Sequence, residues 1–227
     1  MQRTDNIVIF DFCQTLCNFE TADAFVEFVS RSESNIRIRA YNLFEKILVK
    51  TKLILLFDVY GHIMHHSVWK RILLKKLKGI ERGKLEYYAD KYYKERIRPN
   101  LIEITMQRLL EAQDRGYSIA IVSASYDIFL KLFVQEFNIG LLVTNTLEFD
   151  KDNKFTGGFK GKDCIYKNKV RRFRNAIGGR QVNIQESYGD SQSDIPILSI
   201  SKNGYVISHC SHKKWIEKTT FNELIWQ

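Results

Sequence analysis

Three short apolar runs, each ending in a polar residue, limit what this chain can fold into. "NIVIF" (6–10) runs into Asp11, "YSIAIV" from Tyr117 runs into Ser123, and "RQVNIQESYGD" ends at Gly189 and Asp190. Short continuous runs rich in β-branched residues mark strands buried on both faces, as in a parallel sheet. A shorter run, "NGYVI" (203–207), adds a fourth. Helical patterns lie between them, over Leu101–Arg115, Tyr126–Phe137 and Val170–Ile177. Strands alternating with helices predict an α/β core with helices on both faces of the sheet. "LEFDKDNKFTGGFKG" (147–161), with polar turn residues and a double glycine, reads as a hairpin.

Residues 18–98 break that alternation. They hold only helical patterns, over Ala22–Ser30, Arg39–Phe57, Ser67–Leu77 and Leu85–Ile97, and "RPN" (98–100) punctuates the return. The predicted organisation is a Rossmann-like, doubly wound parallel core from 1–17 and 99–227, with an all-helical cap from 18–98. The net charge is +9, and the insert carries 17 Lys+Arg against 10 Asp+Glu while the rest carries 18 against 16. That concentration suits an anionic partner: a phosphorylated small molecule, an anionic membrane surface or nucleic acid. Nucleic acid is disfavoured, because no nucleic-acid motif is present and Tyr87, Tyr88, Tyr92 and Tyr93 have a spacing suited to packing.

In "KILVKTKLILLFDVYGHIM" the longest unbroken apolar run is Leu53–Phe57, far short of the roughly 20 residues of a membrane span. It reads as a buried cap helix, with a helix lying on a membrane surface as the second reading. The four cysteines lack zinc-type spacing, and the start lacks a signal-type apolar run. The expectation is reduced thiols in a cytoplasmic protein, peripheral to a membrane on the second reading.

In an open parallel sheet, ligands sit beyond the carboxyl ends of the strands. Asp11, Ser123 and Asp190 therefore converge on one edge, and Asp194 of "GDSQSD" joins them if a helix starts there. Three carboxylates in contact repel one another and call for a cation. An all-oxygen donor set favours a hard ion, Mg²⁺ above others. Mg²⁺ in turn suits phosphate, to which Ser123 and the exposed amides of a strand-to-helix turn can donate. Lys169, opening the basic helix "KNKVRRFR", is placed to neutralise the carboxylates and a phosphate.

With these residues in order, the chain resembles the haloacid dehalogenase superfamily, in its phosphoserine phosphatase-like branch with a helical cap. "FDFCQTL" is similar to the first motif, DxDxT, "IVSAS" to the second and "YGDSQSD" to the fourth. For the third motif "GKDCIYKNKVRRF" points to Lys169, with Lys162 as the alternative. The resemblance implies an Mg²⁺-dependent phosphoric monoester hydrolase acting through an aspartyl-phosphate on Asp11. It implies metal ligands Asp11, the Cys13 carbonyl, Asp190 and Asp194, and a phosphoryl site made by Ser123, Ala124 and Lys169.

Cys13 departs from the pattern. The family has there a second Asp that protonates the leaving group and activates water. A thiol ionising near 8.5 is a poor substitute, and losing positioned acid–base catalysis typically costs about 10²–10⁴-fold. Three readings stay open: the acid–base role is filled from elsewhere or is not needed, the protein is a weak or inactive binder of a phosphorylated ligand, or the cysteine was introduced to trap a complex. His62, His65 and His66 are cap residues considered for the missing acid, or less readily for a metal. A redox pair of Cys13 and Cys17 is disfavoured, since the spacing is not Cys-x-x-Cys.

Overall fold

The computed structural model describes residues 5–33, 38–43, 50–51 and 68–227. His62, His65 and His66, and most of the apolar segment 46–64, lie outside the described residues. Strand β1 (Asp5–Phe10) leads into helix α1 (Thr21–Ser32). Helices α2 (Val68–Leu74) and α3 (Arg82–Tyr92) follow, and α3 runs on into a π-turn at Tyr93–Ile97. Then come α4 (Glu103–Asp114), β2 (Ser118–Tyr126), α5 (Asp127–Glu136) and β3 (Leu141–Asn145). A hairpin of β4 (Leu147–Phe149) and β5 (Phe155–Phe159) precedes α6 (Lys167–Ile177) and β6 (Val182–Gly189). The chain closes with α7 (Ile195–Leu198), β7 (Asn203–His209) and β8 (Asn222–Trp226).

Six strands form one parallel sheet in the order β3-β2-β1-β6-β7-β8. With the hairpin set aside this is the Rossmann order 3-2-1-4-5-6, and the order reverses between β1 and β6. β1 shows why its sequence is continuously apolar. Val8 and Phe10 face one side, packed with Met106 and Leu109 of α4 and Phe129 and Phe133 of α5. Ile7 and Ile9 face the other, packed with Phe173 and Ile177 of α6 and Ile197 of α7. Both faces are covered from Ile7 to Phe10, so no position in that part of the strand has a polar role.

β3 and β8 fall outside the runs read from sequence. They are the two edge strands, only partly buried, and their apolar runs are short. Between β1 and β2 the described elements are helical, as expected, and pack onto the core. Tyr92 donates its hydroxyl to the Thr21 carbonyl at 2.8 Å. The turn after α2 adds to the hairpin through Gly79 N–H to Phe155 O (2.7 Å) and Phe155 N–H to Ile80 O (2.8 Å). Among the described residues no helix is long and apolar enough to cross a membrane.

Candidate active site

The site lies where β1 and β6 end side by side. Phe10, Tyr188 and Tyr205 are register partners on β1, β6 and β7, and their rings stack at 4.5 and 4.9 Å. This aromatic ladder fixes the strands just before they release the polar residues. Asp11 N–H donates to Tyr188 O at 2.9 Å, one more rung beyond the strand. The chain then turns tightly: Leu16 and Cys17 N–H both reach back to Phe12 O, and Gln14 takes a positive φ of 50°. The Asp11 side chain is thereby held, buried, at the mouth of the sheet.

Lys169 reaches it from α6. On that helix Lys169, Phe173 and Ile177 are the buried positions, an i, i+4, i+8 stripe against the sheet. Its Nζ donates to Asp11 Oδ1 at 2.8 Å and to Asp194 Oδ1 at 2.5 Å. Lys162, the alternative, is exposed. The other Asp194 oxygen, Oδ2, accepts from Asp190 N–H (3.2 Å), Ser191 N–H (3.1 Å) and Ser191 Oγ (3.0 Å). This is a reciprocal capping box at the turn Gln192–Asp194, which answers the expectation of a helical start there. Gly189 is required by the same packing, because a Cβ on it would lie 2.6 Å from Asp194 Cβ.

Asp11, Asp190 and Asp194 each offer an oxygen, all within 4.8 Å of one another. Burial, then the Asp194 and Asp11 charges, push the Asp190 carboxyl up to about 8. Burial also raises Asp11, with Lys169 opposing it. For Lys169, burial works against the charge, but Asp11 and Asp194 outweigh it and keep the ammonium protonated. The crevice thus holds more buried negative charge than Lys169 balances. Its oxygen donors fit a hard divalent cation such as Mg²⁺.

Ser123 is buried on β2, next to β1, and its Oγ accepts from Ser125 N–H at 3.3 Å. Pairing of β2 with β3 shifts between Val122 and Tyr126, which frees 123–125 from the regular ladder. The Ala124 carbonyl accepts from Lys70 Nζ and Asn145 Nδ2, each at 2.8 Å. Lys70 comes from α2, so the insert touches the core beside Ser123. Cys13 is buried, its Sγ 3.0 Å from Thr21 Oγ1, which in turn lies 2.7 Å from Ser125 Oγ. Burial, then the Glu20 and Asp11 charges, raise the thiol well above its ordinary value. Sequence reasoning missed Lys70, Thr21, Ser125 and Lys213, which donates to the Asp190 carbonyl. Each is an ordinary residue in an ordinary local pattern, and only its distant partner marks it.

A buried carboxylate at a strand end of a Rossmann switch point, faced by a helix-borne lysine, is the arrangement of a class of α/β hydrolases. The chain belongs to the haloacid dehalogenase-like hydrolase family, which matches residues 8–199. Within it the chain is similar to the phosphoserine phosphatase of Methanocaldococcus jannaschii, at 25% identity over 93% of this chain and 88% of that one. Protein CicA of Caulobacter vibrioides is 33% identical over 94 residues, 41% of this chain and 42% of CicA, so the match spans less than half of that relative's length. Among solved structures, a Bordetella pertussis Tohama I protein of unknown function superposes with TM-score 0.77 at 17% identity, covering 98% and 99% of the two chains. A phosphoserine phosphatase in apo form superposes with TM-score 0.65 at 20% identity, covering 97% and 94%. At these identities the superpositions bear on fold alone.

Proposed function

We propose that the protein is a Mg²⁺-dependent phosphoric monoester hydrolase acting on a phosphorylated small molecule or lipid. The core from 1–17 and 99–227 would hold the site, with 18–98 as its helical cap. The single observation that carries the proposal is the buried bridge from Lys169 to both Asp11 and Asp194, with Asp190 alongside. In this reading Asp11 Oδ attacks phosphorus, the bond to the leaving oxygen breaks, and water later cleaves the aspartyl-phosphate. Ser123 donates to a phosphoryl oxygen, the loop around Ala124 lines the same site, and Lys169 neutralises nucleophile and phosphoryl group in turn. Asp11, Asp190 and the Cys13 carbonyl would hold the cation. Asp194, with both oxygens engaged by Lys169 and by the 190–191 loop, would shape that loop. Mg²⁺, when bound, supplies neutralisation of phosphate charge.

A second reading, a slow enzyme or phosphate-ligand binder, is favoured by one observation. The Cys13 thiol is held by Thr21 and stays protonated, so it cannot take a proton from water. Glu20 offers a carboxyl next to that thiol; the residue itself is exposed, and partial desolvation of its carboxyl, then the Asp11 charge, raise it from its ordinary value. It is the described side chain best suited to supply the missing proton. The test is a panel of phosphorylated metabolites and lipid phosphates with Mg²⁺, run on wild type, Asp11→Asn and Glu20→Gln. Turnover lost in Asp11→Asn and reduced about 10²-fold or more in Glu20→Gln is expected. Wild-type turnover that survives Asp11→Asn refutes the nucleophile. For peripheral membrane contact, flotation with anionic vesicles at low salt is the check, and no association refutes it.

A further inference from the structure

The family match ends at residue 199, yet a side chain beyond it holds the site. The β6–β7 pairing ends at Gly189 with Val206. The next residues, Asp190 and Ile207, are joined by a side chain. Lys213 Nζ donates to the Asp190 carbonyl and, at 2.8 Å, to the Ile207 carbonyl. It also lies 3.8 Å from Asp190 Oδ2. Asp190 therefore has its N–H held by Asp194 and its carbonyl held by Lys213. Lys213 is itself anchored: its N–H donates to Glu223 Oε1 on β8 at 3.1 Å, and the same carboxylate accepts from Ser208 Oγ at 2.5 Å and pairs with His212.

We propose that Lys213, with its Glu223 anchor on the edge strand, is a positioning residue that sets Asp190 for the divalent cation. The physical reason is the open end of a strand. Past Gly189 no ladder bond fixes the backbone, and a ligand on a free backbone loses affinity to conformational entropy. An ammonium bridging two adjacent carbonyls replaces the missing rung. Residues supporting a metal ligand in this way typically contribute 10–100-fold in metal affinity. The charge of Lys213 acts in the opposite sense, because a cation 3.8 Å from Asp190 Oδ2 repels a second cation there. The two roles thus differ in sign.

The inference rests on the reading that Asp190 holds a divalent cation. Isothermal calorimetry of the metal-free protein with Mg²⁺ alone tests it without any substrate. In Lys213→Met, Mg²⁺ binding is expected to weaken by about 10-fold or more, with Lys213→Arg recovering most of the loss. Affinity that is unchanged or tighter in Lys213→Met overturns the proposal, as does a fall in the metal-free Tm with no change in affinity. If Lys213→Met does not fold, Lys213→Gln and Lys213→Arg carry the measurement, and wild-type affinity in both overturns it. A wild-type protein that binds no Mg²⁺ refutes the metal reading itself, and this inference with it.

Discussion

Stripping the divalent cation is expected to make stability fall as pH rises from about 4 to 8, and Asp190 governs the effect. Its carboxyl is pushed up to about 8 by burial and by Asp194 and Asp11, with Lys213 opposing. In the unfolded chain an aspartate ionises near 3.9. Below about pH 4 both states hold the proton, and pH has no effect through this group. Between the two values the unfolded chain has lost the proton and the metal-free native state keeps it, so each rise in pH favours unfolding. Above about 8 both states are ionised and the loss is complete. One proton corresponds to about 1.4 kcal/mol per pH unit, which gives a ceiling of roughly 5–6 kcal/mol across the window. Asp190 shares its titration with carboxylates within 4.8 Å, so about 1–3 kcal/mol of this is expected to remain. The assay is urea unfolding by circular dichroism at pH 5, 6, 7 and 8, on chelator-treated wild type and Asp190→Asn. The variant should match or trail wild type at pH 5 and gain on it by about 1–3 kcal/mol by pH 8. Saturating Mg²⁺ should flatten the wild-type curve, since the cation replaces the proton. A difference between wild type and Asp190→Asn that stays constant with pH refutes the reasoning.

Three further outcomes are expected. Cys13→Asp places a carboxylate where the thiol meets Thr21 Oγ1 at 3.0 Å, and turnover of a substrate with a poor leaving group should rise by about 10²–10⁴-fold. Steady-state kinetics showing no gain would mean that Cys13 is not what limits the reaction. Lys169→Met leaves Asp11 and Asp194 buried without their shared cation, and the metal-free protein should lose roughly 3–5 kcal/mol; an unchanged Tm contradicts this. Gly189→Ala brings a Cβ to 2.6 Å from Asp194 Cβ and 2.8 Å from Cγ. It should cost about 1–3 kcal/mol and weaken Mg²⁺ binding, and calorimetry with wild-type values would argue against the close approach.

The parallel core was legible in the sequence because its cause is local. A strand covered on both faces is apolar at every position, and β1 reads that way from Ile7 to Phe10. The polar residues at the strand ends were legible for the same reason, since a parallel sheet presents all its carboxyl ends on one edge. The edge strands β3 and β8 were not, because a half-covered strand has a weaker pattern.

By itself, then, the sequence determined the α/β core, the helical character of the described residues between β1 and β2, and the strand-end positions of Asp11, Ser123 and Asp190, with Asp194 in the turn that follows. Tertiary structure decided which groups answer them. Lys162 lies exposed in the loop before α6, whereas the stripe shared with Phe173 and Ile177 turns Lys169 inward. That Thr21 takes the Cys13 thiol, that Lys70 meets the Ala124 carbonyl, and that Lys213 joins β6 to β7 depend on contacts across 8, 54 and 23 residues of chain. Periodicity records which face of an element is covered. It carries no record of which distant side chain completes a hydrogen bond, because that partnership exists only once the elements have packed.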